Sequence, residues 1–193
     1  KMEIYIPHQT LLKILELIGL LCGSLYVILA AKENILCWIY GGISVIIFTY
    51  IFYISNLLAE SILQIFYLIM SIYGFWKWNN KKHINIKSLS YINHFLIIFT
   101  GLLITIIIAF LLINFSNSSS PIIDAFTTSF ALITTFLAAR KILENWIYWV
   151  IIDITSIYLY LSKYLYITSV LYIIYTILAI YGYLKWKQKL KKL

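Results

Sequence analysis

Two stretches of the chain, 108 positions apart, decide its architecture: residues 29–41 read LAAKENILCWIYG, and residues 137–149 read LAARKILENWIYW. The match continues at the same offset without a gap, because residues 72–78 read IYGFWKW and residues 180–186 read IYGYLKW. An apolar composition alone rarely repeats Trp, Gly and Lys in register. The sequence therefore predicts an internal duplication, which is typical of repeat architectures.

The composition places these repeats in a lipid bilayer. Of the 193 residues, 63% are hydrophobic and 11% are charged, whereas soluble domains carry roughly 25% charged residues. This excludes an ordinary soluble protein, a disordered chain and a DNA-binding domain. A spanning helix takes about 20 residues, and seven apolar runs of about that length follow one another: 10–31, 35–54, 56–76, 92–114, 121–139, 142–162 and 165–184. We therefore expect an all-α polytopic membrane protein.

The offset of the repeat predicts a 3+1+3 arrangement of these seven transmembrane helices. We divide the chain into a first three-helix repeat at 10–78, a linker with the fourth helix at 79–120, a second repeat at 121–186 and a basic tail at 187–193. One linking helix between two three-helix units makes both units face the same way, so the repeat is parallel. Two similar bundles around a central path are typical of transporters.

The positive charges indicate how the chain is oriented. Twelve of the 15 Lys and Arg residues fall on one side of the predicted membrane, and Lys1, Lys13 and Lys163 fall on the other. Cytoplasmic loops carry the excess of such residues, so we expect the N-terminus outside and the C-terminus in the cytoplasm. The net charge of +8 thus reflects topology, and we expect no nucleic-acid partner.

The sequence carries no motif of an enzyme, an ATPase or a metal site. It contains no phosphate-binding loop, no HExxH and no G-x-S-x-G. The two cysteines, Cys22 and Cys37, stand alone in apolar runs and form no metal-ligating cluster with histidine. We therefore expect no catalytic residue, no metal and no cofactor.

Three residues of the sixth span form a candidate binding surface. Trp146, Trp149 and Asp153 are spaced i, i+3, i+7 and share one face of a helix. Two indole rings and a mid-membrane carboxylate suit a cationic aromatic ring. Alternatively, the tryptophans belong to an interfacial belt and the carboxylate bonds a neighbouring hydroxyl. The repeat favours a binding role, since Gly41 and Val45 replace Trp149 and Asp153 in the first half.

The third span contributes a second polar face. Asn56, Glu60 and Gln64 are spaced i, i+4, i+8, and Tyr67 lies a further turn along. Gln64 is two turns into the span and both donates and accepts hydrogen bonds, so it is the stronger binding candidate of this face. Glu60 lies nearer the outer surface, where it is either solvated or draws cations toward the mouth.

Three stretches of the chain resemble the Pnu family of bacterial vitamin transporters: WIYGG at 38–42, QIFYLIMSIYGFWKW at 64–78 and ENWIYWVIID at 144–153. The resemblance covers nearly the whole chain, and its most specific element is the W-x-x-W pair at Trp146 and Trp149. It implies seven spans in a 3+1+3 arrangement. The candidate substrate-binding residues are Asn56, Glu60, Gln64, Tyr67, Asn145, Trp146, Trp149 and Asp153.

The resemblance also implies a function and partners. Members carry an unphosphorylated vitamin across the bacterial inner membrane by facilitated diffusion, and a cytoplasmic vitamin kinase then traps it. A homotrimer is the implied assembly. Asp153 departs from the nicotinamide riboside branch, where Asn often stands, and so slightly favours thiamine as the substrate. The alternatives are nicotinamide riboside and a substrate-binding membrane subunit of a multi-component ATP-driven transporter.

Overall fold

A computed structural model describes residues 5–54, 58–80, 85–116, 118–162 and 164–192. Within these ranges the chain forms seven α-helices and no β-strand longer than an isolated bridge. In chain order they are α1 (Tyr5–Ala31), α2 (Leu36–Ile54), α3 (Leu58–Asn79), α4 (Tyr91–Phe115), α5 (Pro121–Ala139), α6 (Asn145–Ser162) and α7 (Tyr166–Leu190). The prediction of an all-α chain with seven helices is confirmed.

The helix ends follow local chemistry. Helix α5 begins at Pro121, because the fixed φ of proline suits a first turn and its missing N–H has no partner there anyway. Helix α7 continues six residues past the predicted run, to Leu190. Its last turn carries Lys187 and Lys189, whose charges complement the negative end of the helix dipole.

Five stretches of the described residues are long and apolar enough to cross a membrane. They are Thr10–Ala31, Leu36–Ile54, Tyr91–Phe115, Pro121–Ala139 and Thr168–Leu190. Helices α3 and α6 lie outside this set of candidate spans. These are the two helices on which the sequence predicts binding residues. The orientation of the chain stays a prediction.

The contacts divide the chain into two compact units, Lys1–Lys81 and Lys82–Leu193. In the first unit, α2 packs against both α1 and α3. In the second unit, α4 packs against α5, α5 against α6, and α6 against α7. The fourth helix, which the sequence assigns to a linker, is thus packed together with the second three-helix repeat.

The two repeats close their first helix pair with the same turn. Glu33 and Lys141, 108 positions apart, have φ angles of 53° and 54°. The Asn34 N–H donates to the Leu29 carbonyl at 2.9 Å, and the Ile142 N–H donates across the equivalent turn at 3.0 Å. This six-to-one bond, beside a residue in the left-handed region, is the Schellman ending of a helix. The duplication seen in the sequence is therefore present in the backbone.

Each repeat also holds its second and third helices together with a tryptophan pair and a glycine. In the first repeat the Trp38 and Trp78 rings meet edge to face, with centroids 5.5 Å apart at 89°. A Cβ atom on Gly74 would lie 2.3 Å from the Trp38 ring. Only glycine therefore lets α3 approach the indole so closely.

The second repeat contains the equivalent contact. The Trp146 and Trp186 rings meet at 5.4 Å and 88°, and a Cβ atom on Gly182 would lie 2.7 Å from Trp146. Trp146 is 4% exposed and Trp186 is 1% exposed. The Trp and Gly residues that match between the repeats thus form the packing of α6 against α7, as they do for α2 against α3.

Candidate functional site

The predicted binding residues of the third span belong to the first unit. Gln64 and Tyr67 lie on α3 and are both half-buried. Tyr67 is close enough to Tyr26 on α1 to interact electrostatically. Glu60 lies on α3, but its side chain is outside the described residues, and Asn56 is outside them altogether.

The predicted binding residues of the sixth span lie on α6 in the second unit. Asp153 is 4% exposed, although it sits in the middle of the helix among apolar neighbours. Trp149, one turn before it, is half-buried. Ser156 and Tyr160 continue the same face at the spacing i, i+4, i+7, i+11 from Trp149. We call these four residues, Trp149, Asp153, Ser156 and Tyr160, the polar face of α6.

Tyrosines of α7 pack beside this polar face. The Tyr160 and Tyr172 rings are stacked, with centroids 5.2 Å apart and planes at 28°. The Tyr172 and Tyr175 rings meet edge to face at 5.9 Å and 75°. Asp153 is close enough to Tyr172 to interact electrostatically. The carboxylate therefore lies beside a cluster of three tyrosines, and Tyr172 is the hydroxyl-bearing neighbour that the packing alternative for Asp153 requires.

The sequence did not single out these three tyrosines as site residues. The chain has 17 Tyr residues, so a further tyrosine on a helix carries little signal by itself. Two patterns point to two of them nonetheless. Tyr160 lies seven residues after Asp153 on the same face, and Tyr175 is matched by Tyr67 at the offset of the repeat.

The first repeat has an apolar face at the equivalent place on α2. Gly41, Val45, Phe48 and Phe52 occupy the positions of Trp149, Asp153, Ser156 and Tyr160. The Phe48 and Phe52 rings stack on each other, with centroids 5.7 Å apart. Because scaffold residues match between the repeats and these residues do not, the polar face of α6 is a feature of the second repeat.

Asn145 begins α6 and is fully buried. Its side-chain Nδ2 donates to the carbonyl of Ile142 at 2.6 Å. Asn145 and Trp149 are spaced i, i+4, so they are neighbours on one side of the helix. Asn145 thus extends the polar face by one turn toward the start of α6.

A short segment fixes the start of α6 in place. Within residues 85–90, the Lys87 N–H donates to the carbonyl of Lys141 at 3.0 Å, and the Leu143 N–H donates back to Lys87 at 2.8 Å. The Glu144 carboxylate accepts hydrogen bonds from the Ser88 hydroxyl and the Leu89 N–H. This pairing explains why α6 begins at Asn145, three residues later than the apolar run predicts.

The chemistry of the polar face suits a cation with an aromatic ring. The π-faces of Trp and Tyr attract cations, and a desolvated carboxylate strengthens that attraction. The face and the adjoining α7 tyrosines include no Lys or Arg. Among the described residues no group of three metal-ligating side chains lies close together. The arrangement therefore provides one acidic group and several rings.

The fold and the polar face define a multi-helix membrane protein with a candidate site for a small solute. The family model described as nicotinamide mononucleotide transporter matches residues 13–188. The chain belongs to this family of transporters, and it is a multi-pass protein of the bacterial inner membrane. The resemblance to Pnu transporters is thereby confirmed.

Curated relatives and a solved structure agree with this assignment. The nicotinamide riboside transporter PnuC of Escherichia coli (strain K12) is 28% identical over 175 aligned positions, which cover 76% of this chain and 73% of the relative. The PnuC of Shigella flexneri gives the same figures. The crystal structure of the vitamin B3 transporter PnuC matches with a TM-score of 0.76 at 22% identity, and covers 92% of this chain and 82% of that chain. At that identity the structural match shows the fold alone.

Proposed function

We propose that this chain carries nicotinamide riboside across the bacterial inner membrane by facilitated diffusion. The observation that carries the proposal is the polar face of α6, where a buried carboxylate lies beside stacked tyrosines. The substrate has a permanently cationic pyridinium ring, which matches that chemistry. The curated relatives named above, both nicotinamide riboside transporters, support the same substrate.

The face favours the riboside over the mononucleotide that the family description names. A phosphate group carries up to two negative charges, and proteins bind it with Arg, Lys or helix N-termini. The polar face contains the carboxyl group of Asp153 and none of these phosphate-binding groups. A buried carboxylate repels a phosphate. The phosphate-free riboside therefore fits the charge of this site better.

Thiamine, which the sequence slightly favours, takes second place. That preference rested on Asp153 alone, and both vitamins carry a cationic ring. The names of the relatives favour nicotinamide riboside over thiamine, because each refers to nicotinamide riboside or vitamin B3. The polar face itself fits either ring, so thiamine is the second candidate substrate.

Net uptake by facilitated diffusion continues only if free substrate is removed from the cytoplasm. We propose that a cytoplasmic vitamin kinase removes it by phosphorylation. We also propose that the protein assembles as a homotrimer. The family resemblance supports both parts. Native mass spectrometry of the detergent-purified protein tests the assembly, and a monomeric mass would contradict it.

Calorimetric titration of the purified protein tests the substrate. Nicotinamide riboside, its mononucleotide and thiamine are titrated side by side under one buffer condition. We expect the riboside to bind most tightly and the mononucleotide at least about tenfold more weakly, since tenfold corresponds to about 1.4 kcal/mol. Tight binding of thiamine alone would overturn the proposal.

Uptake into liposomes tests the mechanism. The protein is reconstituted alone, without ATP, and radiolabelled riboside is added outside. We expect uptake that stops when the inner and outer concentrations are equal. No uptake until an ATPase partner is added would favour the alternative of a subunit in a multi-component transporter.

A further inference from the structure

Two buried polar atoms of the second unit have no hydrogen-bond partner among the described residues. They are Oγ1 of Thr134 and Oδ1 of Asn145, and both residues are 0% exposed. An unpaired buried polar group destabilises the folded protein, so native proteins rarely keep one without a reason. The ring nitrogens of Trp38 and Trp146 are also unpaired, but they occupy equivalent places in both repeats and so belong to the scaffold.

The helix register brings Thr134 to the depth of Trp149. Thr134 lies five residues before the end of α5, and Trp149 lies four residues after the start of α6. At a rise of 1.5 Å per residue, both are about 6–8 Å from the turn that joins the two helices. Helices α5 and α6 pack against each other, so the two residues lie at one level of the bundle.

The first repeat indicates what lies between these two positions. There Tyr26 replaces Thr134 and Gly41 replaces Trp149. A Cβ atom on Gly41 would lie 2.9 Å from the Tyr26 ring, so the ring of α1 fills the space against α2. In the second repeat the aromatic side chain comes from α6, and α5 contributes a small hydroxyl in place of a ring.

The amide of Asn145 has one orientation in this setting. Its Nδ2 donates to the Ile142 carbonyl at 2.6 Å, which leaves Oδ1 as a pure acceptor. Its position one turn before Trp149 sets this acceptor beside the indole. The Thr134 hydroxyl both donates and accepts. Together the two residues offer one acceptor and one donor, which is the complement of a primary carboxamide.

Building on the proposed function, we propose that Thr134 and Asn145 determine specificity by binding the carboxamide of the nicotinamide ring. The Thr134 hydroxyl donates to the amide carbonyl oxygen, and Asn145 Oδ1 accepts from the amide NH₂. A ring that bears a carboxylate presents oxygens to Oδ1 and is rejected. Solvent reaches neither residue. To contact them, the substrate ring has to enter between α5 and the Trp149 indole.

Three ligands and three variants test this inference by calorimetric titration. The ligands are nicotinamide riboside, nicotinic acid riboside and N-ribosylpyridinium, which lacks the carboxamide. Thr134→Val removes the hydroxyl at nearly constant volume, and Thr134→Ser keeps it. Thr135→Val is the matched control, because the Thr135 hydroxyl already donates to the Ala131 carbonyl at 2.8 Å.

We expect the unaltered protein to bind nicotinamide riboside at least about tenfold more tightly than either analogue. Loss of one hydrogen bond to the carboxamide reduces affinity by about that factor. Thr134→Val should lose about tenfold for nicotinamide riboside alone. Thr134→Ser and Thr135→Val should keep the preference. Equal binding of all three ligands, or an unchanged preference in Thr134→Val, would overturn the inference and leave riboside transport standing.

Two further outcomes are also decisive. If the unaltered protein binds none of the three ligands, the proposed function fails and this inference fails with it. If Thr134→Val does not fold, as judged by size-exclusion chromatography, the ligand ranking of the unaltered protein and of Thr134→Ser decides. A ranking that puts the carboxamide-free ring first would contradict the inference.

Discussion

A methyl group added at Gly74 would overlap the indole ring of Trp38. The Cβ of Gly74→Ala would lie 2.3 Å from the Trp38 ring, and that of Gly182→Ala would lie 2.7 Å from the Trp146 ring. Carbon atoms pack at about 3.5–4.0 Å, so each substitution requires a shift of about 1 Å. The second tryptophan that contacts each indole lies one turn further along the same helix as the glycine, so that helix has to move away from the indole.

The size of the effect follows from overpacking. Adding one methyl group to a filled interior costs about 1–3 kcal/mol. A chain of this size loses roughly 2–4 °C of melting temperature per kcal/mol. We therefore expect Gly74→Ala to melt several degrees below the parent protein, with Gly182→Ala less affected because its contact is longer.

The assay is thermal unfolding in one detergent, followed by tryptophan fluorescence at one heating rate, because membrane proteins often unfold irreversibly. Gly42→Ala is the matched control. The nearest atom to its added methyl is the Cβ of Ser71 at 3.7 Å, an ordinary contact. Alanine is also the better helix former by about 1 kcal/mol, so this control should melt at or above the parent temperature.

A second substitution should partly rescue the Gly182→Ala variant. Replacing Trp146 by Phe removes part of the ring that the new methyl strikes, so Gly182→Ala combined with Trp146→Phe should lose less than the sum of the two single changes. Equal melting temperatures for Gly74→Ala and Gly42→Ala would refute the argument. If the double variant loses as much melting temperature as the two single variants together, the proposed overlap between Gly182→Ala and Trp146 is refuted.

Three further predictions concern the site and its support. Trp149→Leu should weaken nicotinamide riboside binding about tenfold in calorimetric titration. Trp146→Phe should keep the affinity and lower the melting temperature. The reverse pattern would show that Trp146 binds the substrate and Trp149 packs the helices. Glu144→Gln should destabilise the start of α6 by about 1–3 kcal/mol and speed hydrogen exchange at the Leu89 amide; unchanged exchange would show that the hydrogen bonds of residues 85–90 to Glu144 contribute nothing. Gln64→Ala should weaken binding without changing the melting temperature, and unaltered titration curves would show that Gln64 does not bind the substrate.

Local patterns made most of the fold predictable. The apolar runs determined the number of helices, and Pro121 marks the observed start of α5. The repeat was visible because Trp, Gly and Lys recurred in register with no gap. The start of α6 was predicted three residues early, because the pairing of Lys87 with Ile142 joins segments 55 residues apart and leaves no local signal.

The candidate site was predictable only in part. Asp153 stood out since a carboxylate in the middle of a membrane helix is costly. The partners Tyr160 and Tyr172 did not stand out, because tyrosine is abundant in this chain and their stacking depends on how α7 packs against α6. Trp146 shared a helix face with Trp149 in the sequence, but its contact with Trp186 lies 40 positions along the chain and only tertiary structure reveals it.

The central claim is that the polar face of α6 recognises the positive charge of the substrate ring. Its most direct test is calorimetric titration of nicotinamide riboside against reduced nicotinamide riboside, whose ring is neutral. We expect the oxidised form to bind at least about tenfold more tightly, and Asp153→Asn to remove most of that difference. Asp124→Asn, which deletes the same charge in the first turn of α5, should leave the difference intact. Equal affinities for the two forms in the unaltered protein would contradict the account.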